Sequence, residues 1–478
     1  MTTTRLGWFH LASGAGIGRI LGFLSNLLLS RWLGPADLGL FNLVATTIQT
    51  SDTLSRCGAD YALNFELGGD KDSVYTVRGV GLVRGIVQIC TLTTIVICVV
   101  LFLWLWFAQG LFPVSLSTNK RGILIGLLLV MIACEGCSAS AWEVLLASHR
   151  TAQLAMKQGL FFPLRLLCSA VGALFLGVLG AMAAWSAVAI VQCFWLRRIL
   201  GHLWNPFNLM PIYKTSIRKL LSRGLPFYGA NLLSSVIFYP LLLQVANGSG
   251  LADIGYLRVG QVLQQLFAFL PATLVPVLFL KLRGQSSFAE QVTLIEKPLR
   301  IVWLLMLEVL LFYCLLDHSL IVWLFGDGFV AALLPTRLLL ITALFECLAQ
   351  LFVQPMLATG QTRTYGIWQN ASALFAALLG WIWIPASGLS AYLTVRLIYA
   401  FMPMVAFGLP VFYQLYQPRK LSALLIISVI VPILFLTQIF SASFYSSMTI
   451  AYPIASIILL IAQSDDILML YRDIRRRA

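Results

Sequence analysis

Two stretches, Pro35-Ala-Asp-Leu-Gly-Leu-Phe-Asn-Leu43 and Leu251-Ala-Asp-Ile-Gly-Tyr-Leu-Arg-Val259, share one pattern at an offset of 216 residues. Each leads into an apolar run, and the register sets Asp37 opposite Asp253 and Gly39 opposite Gly255. The same offset pairs Gln49 with Gln265 and Arg84 with Arg300. Further along, Leu145-Leu-Ala-Ser-His-Arg-Thr151 parallels Met356-Leu-Ala-Thr-Gly-Gln-Thr362 at an offset of 211, which also sets Glu135 opposite Glu346. Several matches in one order at a nearly constant offset mark a duplicated chain.

Composition says what was duplicated. Of 478 residues, 60% are apolar and only 10% charged, with a mean hydropathy of +0.90. A soluble domain has about 45–50% apolar and about 25% charged residues. At roughly 20 residues per crossing, a dozen or more membrane spans fit. Apolar runs divided by short polar breaks give fourteen candidate helices, from 9–30 to 446–464. The first run is too long for a signal-peptide core and reads as an uncleaved span. The expected fold is therefore an all-α polytopic membrane protein of about 14 transmembrane helices. Six-helix lobes occupy 1–200 and 225–413, the polar stretch 201–224 links them, and 414–478 holds two extra helices and a basic tail. Six spans is an even number, so the halves insert in one orientation about a pseudo-twofold axis along the membrane normal. Transporters built this way hold their site between the halves.

The formal net charge of +14 resolves into topology. With the N-terminus cytoplasmic, 21 of the 32 Lys and Arg fall on cytoplasmic segments, 4 on the opposite side and 7 within spans. That bias places both termini inside. No stretch is polar enough for a nucleic-acid module, and no loop is long enough to fold as a domain. The longest outer loop, about 317–330, offers only Asp317, His318 and Asp327, too little for a membrane polysaccharide polymerase or ligase. All nine cysteines lie in apolar segments and read as small buried hydrophobes. Cys134-Glu-Gly-Cys137 has no second pair, so no metal is expected. Gly14, Gly16 and Gly18 imitate a dinucleotide fingerprint without a preceding strand; Gly14, Gly18 and Gly22 read as a helix-packing face.

Charges inside spans are costly and default to functional hypotheses. Asp52, Arg56 and Asp60 stand at i, i+4 and i+8, on one helical face. Such a stripe lines an aqueous cavity or meets a polar partner, Arg19 being the nearest in sequence; the alternative is an inert salt-bridge lock. Arg84, Arg258 and Arg300 lie near span ends, where snorkelling is the competing reading. Glu135 and Glu346 sit mid-span at repeat-equivalent places, suited either to reversible protonation or to a fixed hydrogen bond. Gln261, Gln264 and Gln265 offer amides to sugar hydroxyls or to one another.

Arg31-Trp-Leu-Gly-Pro-Ala-Asp-Leu-Gly-Leu-Phe41 resembles the first hairpin of bacterial polysaccharide flippases, the Wzx-type members of the MOP exporter superfamily. Gly224-Leu-Pro-Phe-Tyr228 and Ala358-Thr-Gly-Gln-Thr362 resemble the family's second-half opening and its span 10–11 turn. The resemblance implies a MOP/MATE-like fold in the bacterial inner membrane and a transporter rather than an enzyme. It would move undecaprenyl-diphosphate-linked oligosaccharide to the outer leaflet by alternating access, for O-antigen, capsule or exopolysaccharide. A proton or sodium gradient would drive it, with no bound cofactor. A monomer in the lipid bilayer, working beside a polysaccharide polymerase and chain-length regulator, is implied too. Arg19, Arg56, Arg258, Arg300, Gln261 and Gln265 are then the candidates for the diphosphate and sugars, and Asp52, Asp60, Glu135 and Glu346 for ion coupling. A multidrug or cation antiporter of the same superfamily is the alternative; it usually has twelve spans.

Overall fold

The computed structural model describes residues 2–56, 63, 75–107, 118–148, 150–201, 204, 214–267, 287–359 and 361–415, with positions 275, 278, 282 and 285 between them. Asp60 and the segment 416–478 lie outside the described residues. All the described secondary structure is helical. In order it comprises α1 (Thr2–Arg56), α2 (Val77–Phe107), α3 (Thr118–Ala147), α4 (Thr151–Met156), a π-turn (Lys157–Phe161) and α5 (Phe162–Leu200). Then come α6 (Lys214–Gly248), α7 (Leu251–Phe267), α8 (Phe288–Phe325), a 3-10 turn (Asp327–Ala332), α9 (Leu333–Ala358) and α10 (Thr362–Leu415). Among the described residues five helical stretches are long and apolar enough to cross a membrane, or six if the two pieces of α8, bent by 47°, count as one. The chain is a multi-pass membrane protein.

Glycine makes several of these helices into hairpins. In α1, Gly34 adopts φ 70°, a left-handed conformation that carries no Cβ penalty only in glycine. Pro35 follows with its φ already set for a helix start. Asn26 and Asn42, on either side of this break, touch one guanidinium, so the 2–33 and 35–56 legs fold back on each other. In α5 the break falls at Gly177, φ 59°. Its legs meet so closely that a Cβ on Gly172 would stand 2.2 Å from the Gly180 carbonyl oxygen. The glycine face expected on the first leg is a packing face: a Cβ on Gly14 would lie 2.9 Å from the Ala155 oxygen, and one on Gly22 2.9 Å from the Phe162 ring.

One boundary refines the sequence reading and another differs from it. Helix α6 begins at Lys214, so the second part of the 201–224 stretch is helix; Lys214–Arg223 is mostly good helix formers. The supposed outer loop at 317–330 is largely the end of α8, which runs to Phe325. Leu315 and Leu316 precede Asp317, and its charge is met by Arg337 of α9 through a 2.6 Å bond from Nε, with Asp317 only 1% exposed. Arg337 is itself buried in that pair. One apolar core runs through both halves, with Leu29 and Phe41 of α1, Leu257 of α7 and Leu339 of α9 fully buried in it.

Candidate functional site

The repeat-equivalent hairpins meet at their tips, and they do so reciprocally. A Cβ on Gly39 would fall 1.8 Å from the Leu251 carbonyl oxygen, and one on Gly255 would fall 2.0 Å from that of Pro35. Residue 39 touches 251, while 255 touches 35, the equivalents at the offset of 216. Such an exchange of partners is what a twofold-related contact produces. Glycine permits this near-contact of backbones, and any side chain would hold the helices apart. At the same end Arg31 donates to the Trp323 and Leu324 carbonyls at the end of α8, which are otherwise unmatched acceptors.

Below the tips the two helices present polar residues to each other. Arg258 of α7 donates from Nη2 to Asn26 Oδ1 at 2.8 Å and from Nη1 to Asn42 Oδ1 at 3.5 Å. Further along, Thr47 and Tyr239 share a 2.8 Å hydroxyl bond, and Arg19 Nη1 donates to the Gln265 carbonyl at 3.3 Å. Exposure rises along this face. Gly39 and Gly255 are buried, Arg258 and Gln261 half-buried, and Gln49 and Gln265, themselves repeat-equivalent, exposed. The halves are therefore in backbone contact at the Gly34 end and joined by side chains further along, toward the exposed Gln49 and Gln265.

The remaining charges pair within single halves. Arg56 holds Asp52 at 2.7 Å and Glu143 of α3 at 3.3 Å. Arg165 of α5 pairs with Glu135 and lies over the Trp185 ring, 5.2 Å from its centroid. Lys157, on the π-turn, lies 5.5 Å over Trp142 and feels Asp52, Arg56, Glu135 and Glu143. In the second half Glu346 takes Gln264 Nε2 at 3.0 Å and Arg396 of α10 at 3.4 Å. Among the described residues no three His, Cys, Asp or Glu gather as a metal site.

The candidate residues thus fall into separate groups. Arg19, Arg258, Gln261 and Gln265 share the face between the halves. Asp52 and Arg56 are together as expected, but their bridge to a neighbouring helix is Glu143 rather than Arg19, since the first leg turns Arg19 toward α7. Glu135 and Glu346 each carry an arginine. Arg300 pairs with Glu296 one turn earlier on α8. Sequence reasoning left Lys157 out, because it follows a polar break and resembles a loop-edge lysine. It also did not use Asn26, a lone amide two turns from Arg19.

The family model described as polysaccharide biosynthesis protein matches residues 5–279, more than half of the chain. The chain belongs to that family. Several solved transporters carry the same fold. A structure of the lipid II flippase MurJ in an inward closed conformation has a TM-score of 0.70 at 13% identity, covering 97% of this chain and 99% of that one. A MOP superfamily transporter from Pyrococcus furiosus gives 0.57 at 16% identity, covering 86% and 95%. An inward-facing multidrug resistance MATE transporter gives 0.61 at 15% identity, covering 83% and 96%. No curated protein matches the chain. The chain thus shares the fold of these transporters, with α1 and α7 meeting at a pseudo-twofold seam.

Proposed function

We propose that this protein is a flippase that carries an undecaprenyl-diphosphate-linked oligosaccharide from the cytoplasmic to the outer leaflet of the bacterial inner membrane, with both termini cytoplasmic. In this reading the described state is inward-facing, with the Gly39–Gly255 seam closing the outer side. Family membership supports it, and so does a likeness to the lipid II flippase that extends over almost the whole of both chains. The observation that carries the reading is the face between the halves. It is closed by backbone contact at the Gly34 end, grows more exposed toward the other, and carries Arg19, Arg258, Gln261 and Gln265, cations and amides suited to diphosphate oxygens and sugar hydroxyls. The lobes would be 1–200 and 225–413, with 414–478 adding two helices.

A cation antiporter shares the fold but needs carboxylates that can take up a cation. Here Asp52, Glu135, Glu143 and Glu346 are each engaged by an arginine, which favours the anionic cargo. In our reading Asp52, Asp60, Glu135 and Glu346 are the carboxylates through which a proton or sodium gradient is coupled to the movement of the halves. The test is leaflet accessibility of a lipid-linked oligosaccharide in reconstituted vesicles. Transfer faster than in protein-free vesicles, without a new glycosidic bond, is expected. Transfer no faster than in empty vesicles, or a glycosidic product, would refute the reading.

A further inference from the structure

Five arginines in or beside the helical core each hold a carboxylate: Arg56, Arg165, Arg300, Arg337 and Arg396. Arg258 does not. Among the described residues its guanidinium meets only two neutral amide oxygens, and its Nε has no partner. Those amides are themselves aimed. Asn26 Nδ2 donates to the Gly22 carbonyl at 2.7 Å and Asn42 Nδ2 to the Ile254 carbonyl at 3.5 Å. Each carboxamide is turned so that its oxygen, not its nitrogen, faces the guanidinium. The contact also joins both legs of α1 to α7 three residues below Gly255, so it ties the seam shut.

A cation buried in a lipid-embedded protein calls for an anion, and Gln261 and Gln265 follow Arg258 about one and two turns along α7, where exposure rises. We propose that Arg258 is a latch that a phosphate-type anion releases. The anion's oxygens replace the two Asn oxygens on the guanidinium, the tie between α1 and α7 is lost, and the Gly39–Gly255 seam opens. A diphosphate offers the guanidinium full negative charge and a bidentate set of acceptors that two separate amide oxygens lack, so the exchange is favoured. Because the anion binds better where Arg258 has left the amides, its binding must shift the halves toward the open seam. This rests on the flippase reading in naming the anion as a lipid-linked diphosphate, while the latch itself needs only phosphate chemistry.

Amide hydrogen exchange of the full-length protein in nanodiscs, followed over residues 35–46 and 251–262, tests it. Inorganic pyrophosphate, undecaprenyl diphosphate and uncharged undecaprenol are added separately. Exchange in these segments is expected to rise about tenfold or more with a diphosphate and not with undecaprenol. A response to both diphosphates makes the anion alone sufficient, and a response to undecaprenyl diphosphate only assigns the ligand to a lipid headgroup. Arg258→Gln is expected to abolish the response. Asn26→Leu, an independent variant, is expected to speed exchange without any anion. The proposal is overturned if neither diphosphate changes exchange, if Arg258→Gln responds like the native protein, or if Asn26→Leu leaves the seam as slow as before. Leaflet transfer measured on the same preparation scores the flippase reading separately: transfer with an unresponsive seam refutes the latch alone, and a responsive seam without transfer refutes the flippase alone.

Discussion

Adding one methyl group at the seam is the sharpest perturbation the structure offers. In Gly39→Ala the new Cβ would sit 1.8 Å from the Leu251 oxygen, and in Gly255→Ala 2.0 Å from the Pro35 oxygen. Real Cβ contacts essentially never fall under 3.0 Å, so the helices must separate by at least about 1 Å in either variant. Both obstructing atoms are backbone and cannot swing aside. Overpacking of this kind typically costs about 1–3 kcal/mol, a change of about 5–150-fold in the ratio of closed to open seam. The two clashes are reciprocal across one pseudo-twofold contact, so a single outward movement relieves both. The double variant is therefore expected to shift the ratio little beyond the stronger single one, a clear departure from additivity. Spin labels at positions 36 and 252, with native cysteines replaced by alanine, report the separation of the hairpin tips as a distance distribution. Gly126→Ala, whose Cβ meets nothing within 4 Å, is the control and should leave the distribution unchanged. Additive shifts in the double variant, or unmoved distances in both single ones, would show that the seam is not a shared backbone contact.

Other elements make separate predictions. Asp317→Asn leaves Arg337 buried with half its ion pair, a loss of about 3–5 kcal/mol; the thermal unfolding midpoint should fall, and Asp317→Leu combined with Arg337→Met should restore most of it. Arg31→Gln removes donors at an exposed rim, so it should open the seam less than threefold by the same spin-label distances, well short of Gly255→Ala. Glu346→Gln keeps an acceptor for Gln264 but removes the charge that holds Arg396. Leaflet transfer in Glu346→Gln should lose its dependence on an imposed pH gradient, and unchanged dependence would remove Glu346 from coupling.

The repeat that builds the seam was legible in the sequence because duplication left its mark on backbone-critical positions, while the contact between its two copies was not. Gly39 and Gly255 cannot vary without forcing the helices apart, and Pro35 and Gly34 fix where the chain turns. The ion pairs were not legible. Arg165 reaches Glu135, and Arg56 reaches Glu143, only because α3 and α5 pack beside the second leg of α1. Helical spacing along one segment carries no information about that. Lys157 was hidden for a further reason. It lies on a π-turn that adds a residue to the helical turn and re-aims the side chains around it, and Gly159 within the turn approaches Gly14 closely, a Cβ there falling 3.1 Å from the Gly14 Cα. The extent of the Asp317 helix was missed because a buried carboxylate looks like a loop residue until Arg337 is placed beside it.

The repeat also accounts for why the latch has only one cation. At the offset of 216, Arg258 corresponds to Asn42, and these two residues touch each other at 3.5 Å. A position that contacts its own repeat-equivalent lies near the pseudo-twofold axis. Had both copies kept arginine, two guanidinium groups would face each other in a poorly solvated seam, a repulsion that would force the halves apart. Had both been asparagine, the seam would close without any charge for an anion to claim. One arginine opposite one asparagine closes the seam with neutral acceptors and still leaves a cation that a diphosphate can compete for. The departure from symmetry at this single register position is thus what a seam that must both hold and release requires, and Asn42→Arg is expected to spread the hairpin tips even with both glycines intact.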